Sequence, residues 1–217
     1  MLLKIDLHVH TVNSGDSYTL PGDLPRIILD RGLDGVAVTD HNVLSRVHAE
    51  KITVIPGIEI STRHGHMLAL NINEPIRRGL SADETVEIIH SQGGLAVLPH
   101  PYDLLRSSLR PRKLLTRVDA VETVNASAPL FGLSKWFAER FADSANIPVT
   151  GGSDSHLPQT IGTGYTVINA DSRSIDEVIE AIRKGKTQAY GSPISLSNRA
   201  RKLRLDISKQ FGRRSDA

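Results

Sequence analysis

Cysteine is absent from the 217 residues, which removes disulfides, thiol nucleophiles and thiolate metal sites together. Any metal must therefore be held by nitrogen and oxygen. Aromatic residues amount to 4%, few for a surface that stacks successive bases. No apolar run approaches the roughly 18 residues that a bilayer span needs. The opening MLLKIDLHVH is interrupted by Lys4 and Asp6, so it reads as neither a signal peptide nor an anchor, and the expected location is the cytoplasm. No G-x-S-x-G elbow offers an activated serine.

Hydrophobic residues at 39% together with 17 glycines fall in the ordinary range of folded chains, and the length suits one domain with at most a small appendage. The net charge of +2 is unevenly spread. From Ser197 to the end, seven basic residues face two acidic ones, a local +5 that leaves −3 for the rest. The expected division is a barrel over 1–192 and a basic tail over 193–217. Only Leu203, Leu205, Ile207 and Phe211 offer the tail apolar anchors, so a short docked strand is the most structure expected of it. Its charge suits phosphate contacts with a nucleic acid.

Short β-branched runs predict strands at 2–9, 35–39, 52–60, 67–72, 95–98, 120–124, 148–150 and 165–168. Helical patterns lie between them. Ser81 with Glu84 and Ser174 with Glu177 have the spacing of helix caps, and Gly185 suits the end of the second helix. A helix over 130–146 would pack Phe137, Phe141 and Ala145 on the core, with Trp136 a core or surface packing residue. Strands alternating with helices imply an α/β fold with a parallel sheet, and seven or eight strands in this length favour a small barrel.

Nine histidines are present, and their placement carries the chemistry. The strands run into His8-Val9-His10, Asp40-His41, Glu59, His100 and Asp154-Ser155-His156, while His66 opens the fourth run. Polar groups gathered at strand C-termini are the pattern of an α/β-barrel active site. Residues i and i+2 of a strand share a face, so His8 and His10 reach one cation together. Imidazole with carboxylate suits Zn²⁺, Mn²⁺ or Fe²⁺. Six histidines and three carboxylates, counting Asp16, exceed the roughly four ligands of one cation, which implies two or three ions with Glu59 able to bridge. His66 is preferred over His64; His48 and His90 sit in helical patterns. Asp40 is expected to orient a histidine. Asn125 at the mouth is either a substrate contact or a turn residue, and Arg106 is a candidate phosphate contact.

These motifs resemble the polymerase and histidinol phosphatase (PHP) superfamily of metal-dependent phosphoesterases. The resemblance rests on Asp6-Leu7-His8-Val9-His10-Thr11 with Ser14-Gly15-Asp16, on Thr39-Asp40-His41-Asn42, on Pro56-Gly57-Ile58-Glu59-Ile60 with Gly65-His66, on Pro99-His100-Pro101 and on Gly152-Ser153-Asp154-Ser155-His156. It covers about three-quarters of the chain and implies a distorted (β/α)7 barrel. It also implies one metal on His8, His10, Glu59 and Asp154, a second on Glu59, His66 and His100, and a third on Asp16, His41 and His156. Asp16, where histidinol-phosphatase-like members tend to carry histidine, leans toward the nucleotide- and nucleic-acid-directed branch.

The expected activity is hydrolysis of a phosphoester, with a nucleotide or an oligonucleotide end favoured, by metal-activated water. Glu59, Asp154, His156 and His41 are the expected catalytic residues, the last two supporting the leaving group. The competing readings are a histidinol-phosphate-type phosphomonoesterase, a metal amidohydrolase and a nucleic-acid-binding scaffold. The partner is a phosphorylated small molecule or a nucleic-acid end, and no membrane is expected.

Overall fold

The computed structural model describes residues 1–103 and 118–215; the candidate Arg106 lies outside them. Nine strands form one sheet in the order β7-β6-β5-β4-β3-β2-β1-β8-β9. They are β1 (Leu2–Val9), β2 (Gly35–Val38), β3 (Thr53–Thr62), β4 (Gly65–Leu70), β5 (Leu95–Leu98), β6 (Ala120–Asn125), β7 (Val149–Gly152), β8 (Gly164–Asn169) and β9 (Thr187–Gly191). The helices are α1 (Leu24–Asp30), α2 (Ala82–Ser91), α3 (Phe131–Ala145), α4 (Ile175–Arg183) and α5 (Leu196–Ser215).

Strands β1, β2 and β3 are mutually parallel, as are β5, β6 and β7. β4 runs antiparallel to both its neighbours because it returns from β3 in a hairpin. β8 pairs antiparallel with β1, and β9 with β8. The sheet curls until the segment after β7 meets β1: Asp154 donates its backbone N–H to His8 O at 2.8 Å and His10 donates to Ser155 O at 3.0 Å. The result is a nearly closed, distorted α/β barrel. The antiparallel β4 and the β8–β9 hairpin are the distortion, and β9 adds a strand for which the sequence shows no clear apolar run.

The core forms in layers. Leu3, Ile5, Ile55, Leu70 and Leu95 fill the barrel together with Val178, Ile179 and Ile182 of α4. Those strand residues sit at or near the end of the barrel remote from the mouth, so α4 acts as its floor. Outside, α2 packs Val86 and Ile89 on Ile58, Ile60 and Leu98, and α1 packs Leu24, Ile27 and Ile28 on Val36 and Val38. The α2 cap is reciprocal: Ser81 Oγ accepts from Glu84 N at 3.2 Å and Glu84 Oε2 accepts from Ser81 N at 2.8 Å.

Two expectations change. In α3 the buried residues are Ala138 and Ala142, whereas Phe137 is 42% exposed and stacks on Tyr102; small residues let the helix approach the sheet closely. The basic tail is a helix, α5, rather than a docked strand. Its Leu203 and Phe211 remain exposed. It docks through polar groups instead, with Arg199 donating to the carbonyls of Ser127 and Ala128 at 3.1 Å and Tyr18 Oη donating to Asp206 at 3.0 Å. No helix among the described residues is long and apolar enough to cross a membrane.

Closure of the barrel depends on a glycine. A Cβ at Gly152 would collide with His8 Cβ and stand 2.9 Å from both His8 N and Glu122 Oε1. Gly152→Ala is therefore expected to prise β7 from β1 and to cost about 1–3 kcal/mol, read as a lowered urea midpoint. An unchanged midpoint would show that β7 does not need this close approach.

Candidate metal centre

The fold brings the dispersed histidines and acids to one mouth. In β1, the step from Asp6 to Val9 is matched in β2 by only Val36 to Val38, so β1 carries a bulge. Ile5 lies in the barrel interior while Val9, beyond the bulge, joins the outer layer. The extra residue therefore turns His8 and His10 inward. Without it the strict alternation from Ile5 would send both out. β6 has a similar register shift between Glu122 and Val124, which lets Glu122 and Asn125 meet, with Asn125 Nδ2 donating to Glu122 Oε2 at 2.9 Å. β4 presents its first residues to the mouth because it runs the other way, which places His66 there. His64, two residues earlier, is exposed.

Glu59 is 1% exposed and stands at the centre. Its Oε2 lies 3.3 Å from His8 Nε2, 3.3 Å from His10 Nε2 and 3.2 Å from His41 Nδ1. Its Oε1 lies 2.7 Å from His66 Nδ1 and 3.1 Å from His100 Nε2. Asp154 Oδ1 is 3.3 Å from His10 Nε2, 3.8 Å from His8 Nε2 and 3.6 Å from His156 Nδ1. Asp16 Oδ2 is 3.1 Å from His156 Nε2 and 3.7 Å from His41 Nε2. All nine sequence-selected ligands thus converge. Three trios have donor atoms within 4.8 Å of one another: His8, His10 and Glu59; His41, Glu59 and His66; and His10, His41 and His156. These trios cut across the expected grouping, since His41 and His10 each belong to two.

The backbone is held in unusual conformations here. His100 has φ 31° and Asp154 φ 50°, the left-handed region that side chains larger than glycine seldom occupy. Glu122 helps to maintain that shape: its Oε2 accepts from His100 N at 3.0 Å and its Oε1 lies 2.9 Å from His8 Nδ1. Asn125 donates to Asp154 Oδ2 at 3.2 Å, so its amide is already engaged by two carboxylates.

Glu122 does for His8 what Asp40 was expected to do for a histidine. Asp40 instead accepts from Thr11 N, Thr11 Oγ1 at 2.7 Å and Ser45 Oγ, holding the loop after β1 to the loop after β2. The signal for Glu122 was present as a lone acid within the apolar run 120–124, where burial demands a partner. Asp6 is similar: it is buried and accepts from Ser153 N at 2.9 Å and Gly162 N at 2.8 Å. Burial pushes its carboxyl up to about 6 despite those bonds. His48 and His90 are exposed, and His90 pairs with Asp119 at 2.9 Å.

The electrostatics follow from crowding. Burial opposes charge on Glu59, yet the surrounding imidazoles, His8 and His10 foremost, hold its carboxyl well below the usual range. Burial also works against His10, but Asp154 and Glu59 raise it to about 9. His8 is raised well above the usual imidazole value against its own burial, by Glu122, Asp154 and Glu59. His41 is lowered to about 4 by burial, with His10 adding to the fall against Glu59. A group of acids has thus gathered more positive charge than it would in water, as expected where cations belong.

The comparisons agree with this geometry. A family model described as PHP-associated matches residues 132–187, the stretch that carries Asp154 and His156. The uncharacterized protein MJ1587 of Methanocaldococcus jannaschii is 38% identical over 141 residues, 57% of this chain and 82% of that protein. A two-domain protein from Bacteroides vulgatus, containing a predicted PHP-like metal-dependent phosphoesterase, superposes with a TM-score of 0.72 at 21% identity, over 88% of this chain. The chain belongs to one family with MJ1587, and its fold is that of PHP-like proteins. PfuEndoQ, a lesion-specific endonuclease from Pyrococcus furiosus, shares the fold with a TM-score of 0.58 at 18% identity over 87% of this chain. This chain spans 65% of the Bacteroides chain and 58% of PfuEndoQ.

The raised imidazoles predict a pH dependence. With no cation bound, His10 is protonated in the folded state up to about 9 and in the unfolded chain only to about 6.5. The stabilisation this gives is complete below about 6.5 and is lost as pH rises through about 9. Metal-stripped protein should therefore lose thermal stability between those limits, and protein loaded with Zn²⁺ or Mn²⁺ should lose much less. Parallel curves for the two forms would refute the assignment of that proton to the cluster.

Proposed function

We propose that the chain hydrolyses a phosphoester, that of a nucleotide or of an oligonucleotide end, using two or three divalent cations held by His8, His10, Asp16, His41, Glu59, His66, His100, Asp154 and His156. The observation that carries this is the Glu59 carboxylate, buried and within 3.3 Å of five imidazoles. The donor set fits cations on a further count: the buried Nε2 atoms of His8 and His10 make no hydrogen bond and both face Glu59. Oxygen and imidazole donors without sulfur suit Zn²⁺, Mn²⁺ or Fe²⁺. Bound there, such ions lower the pKa of coordinated water toward about 7 and neutralise charge on the phosphoryl oxygens.

The chain's own residues do the rest. Glu122 fixes the ring of His8 and the backbone of His100, so two donors on different strands keep their relative position. Asp154 joins the β1 histidines to His156 across the seam of the barrel. His41 and His156 are half-buried rather than enclosed and flank Asp16 at the rim, where they face a departing alkoxide. Burial, with His10 adding to it, lowers the His41 ring below the usual imidazole range. The resemblance of the fold to an endonuclease and to a protein containing a phosphoesterase domain supports the class of reaction.

Elemental analysis of the reconstituted protein should find more than one equivalent of Zn, Mn or Fe, whereas less than one would overturn the multinuclear reading. Glu59→Gln keeps the volume but removes the shared charge, and it should abolish phosphoester hydrolysis by about 100-fold or more while circular dichroism stays unchanged. Wild-type turnover by that variant would sink the bridging role. Glu122→Gln is expected to weaken metal affinity by about 10–100-fold, measured by competition with a chromogenic chelator; equal affinity would mean that Glu122 does not orient His8.

A further inference from the structure

A second cavity adjoins the histidine-lined cleft, between α5 and the barrel mouth, with a volume of about 290 Å³. Asp16, Asp154 and His156 line both spaces, so the two share that boundary. Its outer wall is α5, through Asn198, Lys202 and Leu203, and Leu157 and Ile194 add apolar surface. Lys202 Nζ bonds Asp206 at 2.7 Å, and Asp206 accepts from Tyr18, two residues beyond Asp16. The helix is thus fastened directly to the loop that carries a metal-site acid. Arg199 fastens it on the other side, to the carbonyls of Ser127 and Ala128. The exposed Arg201 and Arg204 do not line the cavity.

We propose that this cavity holds the organic part of a small phosphoester, and that Asn198, Lys202 and Leu203 of α5 set its selectivity. The proposal rests on the phosphoesterase reading and narrows its substrate. This cavity shares three lining residues with the histidine cleft, whereas the groove lined by Pro75, Arg77 and Arg78 shares only His41, so an ester substituent leaving a phosphoryl group in the cleft has its broadest contact here. Leu157, Ile194 and Leu203 give the cavity its apolar surface and nine polar or charged residues complete the lining; its volume lies just under the roughly 300–1,000 Å³ of small-molecule sites. It suits a group of nucleoside size or less, bearing acceptor or anionic groups toward the Lys202 ammonium and the Asn198 amide. A polymer continuing past its first nucleotide in this direction would run into α5.

The test uses the full-length, metal-loaded protein with three probes: a 5′-mononucleotide, a 5′-phosphorylated single-stranded oligonucleotide and inorganic phosphate. Lys202→Ala removes the cation, and Asn198→Trp fills the cavity. Each should raise KM for the mononucleotide by about tenfold or more, with inhibition by inorganic phosphate unchanged because that ion occupies the histidine cleft alone. The double variant Arg201→Glu/Arg204→Glu should leave all three readings as in wild type. Wild-type KM in both cavity variants would overturn the proposal. So would a selective loss of oligonucleotide binding in the Arg201/Arg204 variant with the cavity variants silent, since α5 would then serve a polymer. If wild-type protein hydrolyses neither ester, calorimetric binding of the mononucleotide separates the two readings. Weaker binding in the cavity variants would keep the pocket and discard the reaction, whereas unaltered binding would discard both.

Discussion

A carboxylate with 1% exposure at the centre of five imidazoles is costly to build unless its charge is answered, and the architecture is arranged around answering it. Ionising a buried acid without partners costs several kcal/mol, about what one domain has to spare. Glu59 cannot be relieved by water, so the chain must bring imidazoles from β1, the loop after β2, β4 and the loop after β5 to within hydrogen-bonding range of it. In the absence of cations the protons on those rings supply the positive charge, which is why His8 and His10 are raised and Glu59 depressed. Cations held in the same space would take the place of those protons.

Convergence at one point demands departures from regular geometry. A uniform strand would alternate its side chains, and β1 would then aim Ile5 and the histidines to opposite faces. The bulge between Asp6 and Val9 breaks that rule where it matters. The shift in β6 brings Glu122 under His8 and Asn125 against Asp154. The left-handed backbones of His100 and Asp154 are a third departure. The left-handed residues are held by buried acids that accept backbone N–H groups: Glu122 for His100, and Asp6 for Ser153 beside Asp154. The acids outside the cluster are thus what keep those within it in place.

This division explains what could be read in advance. Pair spacings such as His8-x-His10 and Asp154-x-His156 are local, and the rule that i and i+2 share a face survives a bulge elsewhere in the strand, so the convergence of these residues was legible. Which face they share depends on the bulge, and nothing in 2–9 marks it. The proximities also cut across the expected grouping of ligands, for a related reason. His41 follows β2 in sequence but bridges to β3 at Glu59, and this pairing brings its ring to Glu59, His10 and His66 at once. Asp40 drew attention because it adjoins a histidine, yet contact in space belonged to Glu122, far away in the chain.

The C-terminal helix shows the complementary limit. A search for apolar periodicity finds elements that dock by burying a greasy stripe, and α5 exposes much of the apolar surface it has, with Leu203 at 60% and Ile207 at 45%. Its docking is carried by a guanidinium on carbonyls and by a lysine, an aspartate and a tyrosine hydroxyl in series. Such bonds are specified by partners in other parts of the chain, at residues 18, 127 and 128, and leave no periodic trace. They are also directional where apolar contact is not. A helix held this way can border a polar, solvent-filled space without having to fill it, and that suits an element beside a metal centre better than a buried one would. The charge excess of the tail, read alone, suits phosphate contacts, with a short docked strand as the most structure expected of it. Placed, it divides into cations turned to solvent and cations turned to the site, and only the second kind stands next to the acids and imidazoles of the mouth.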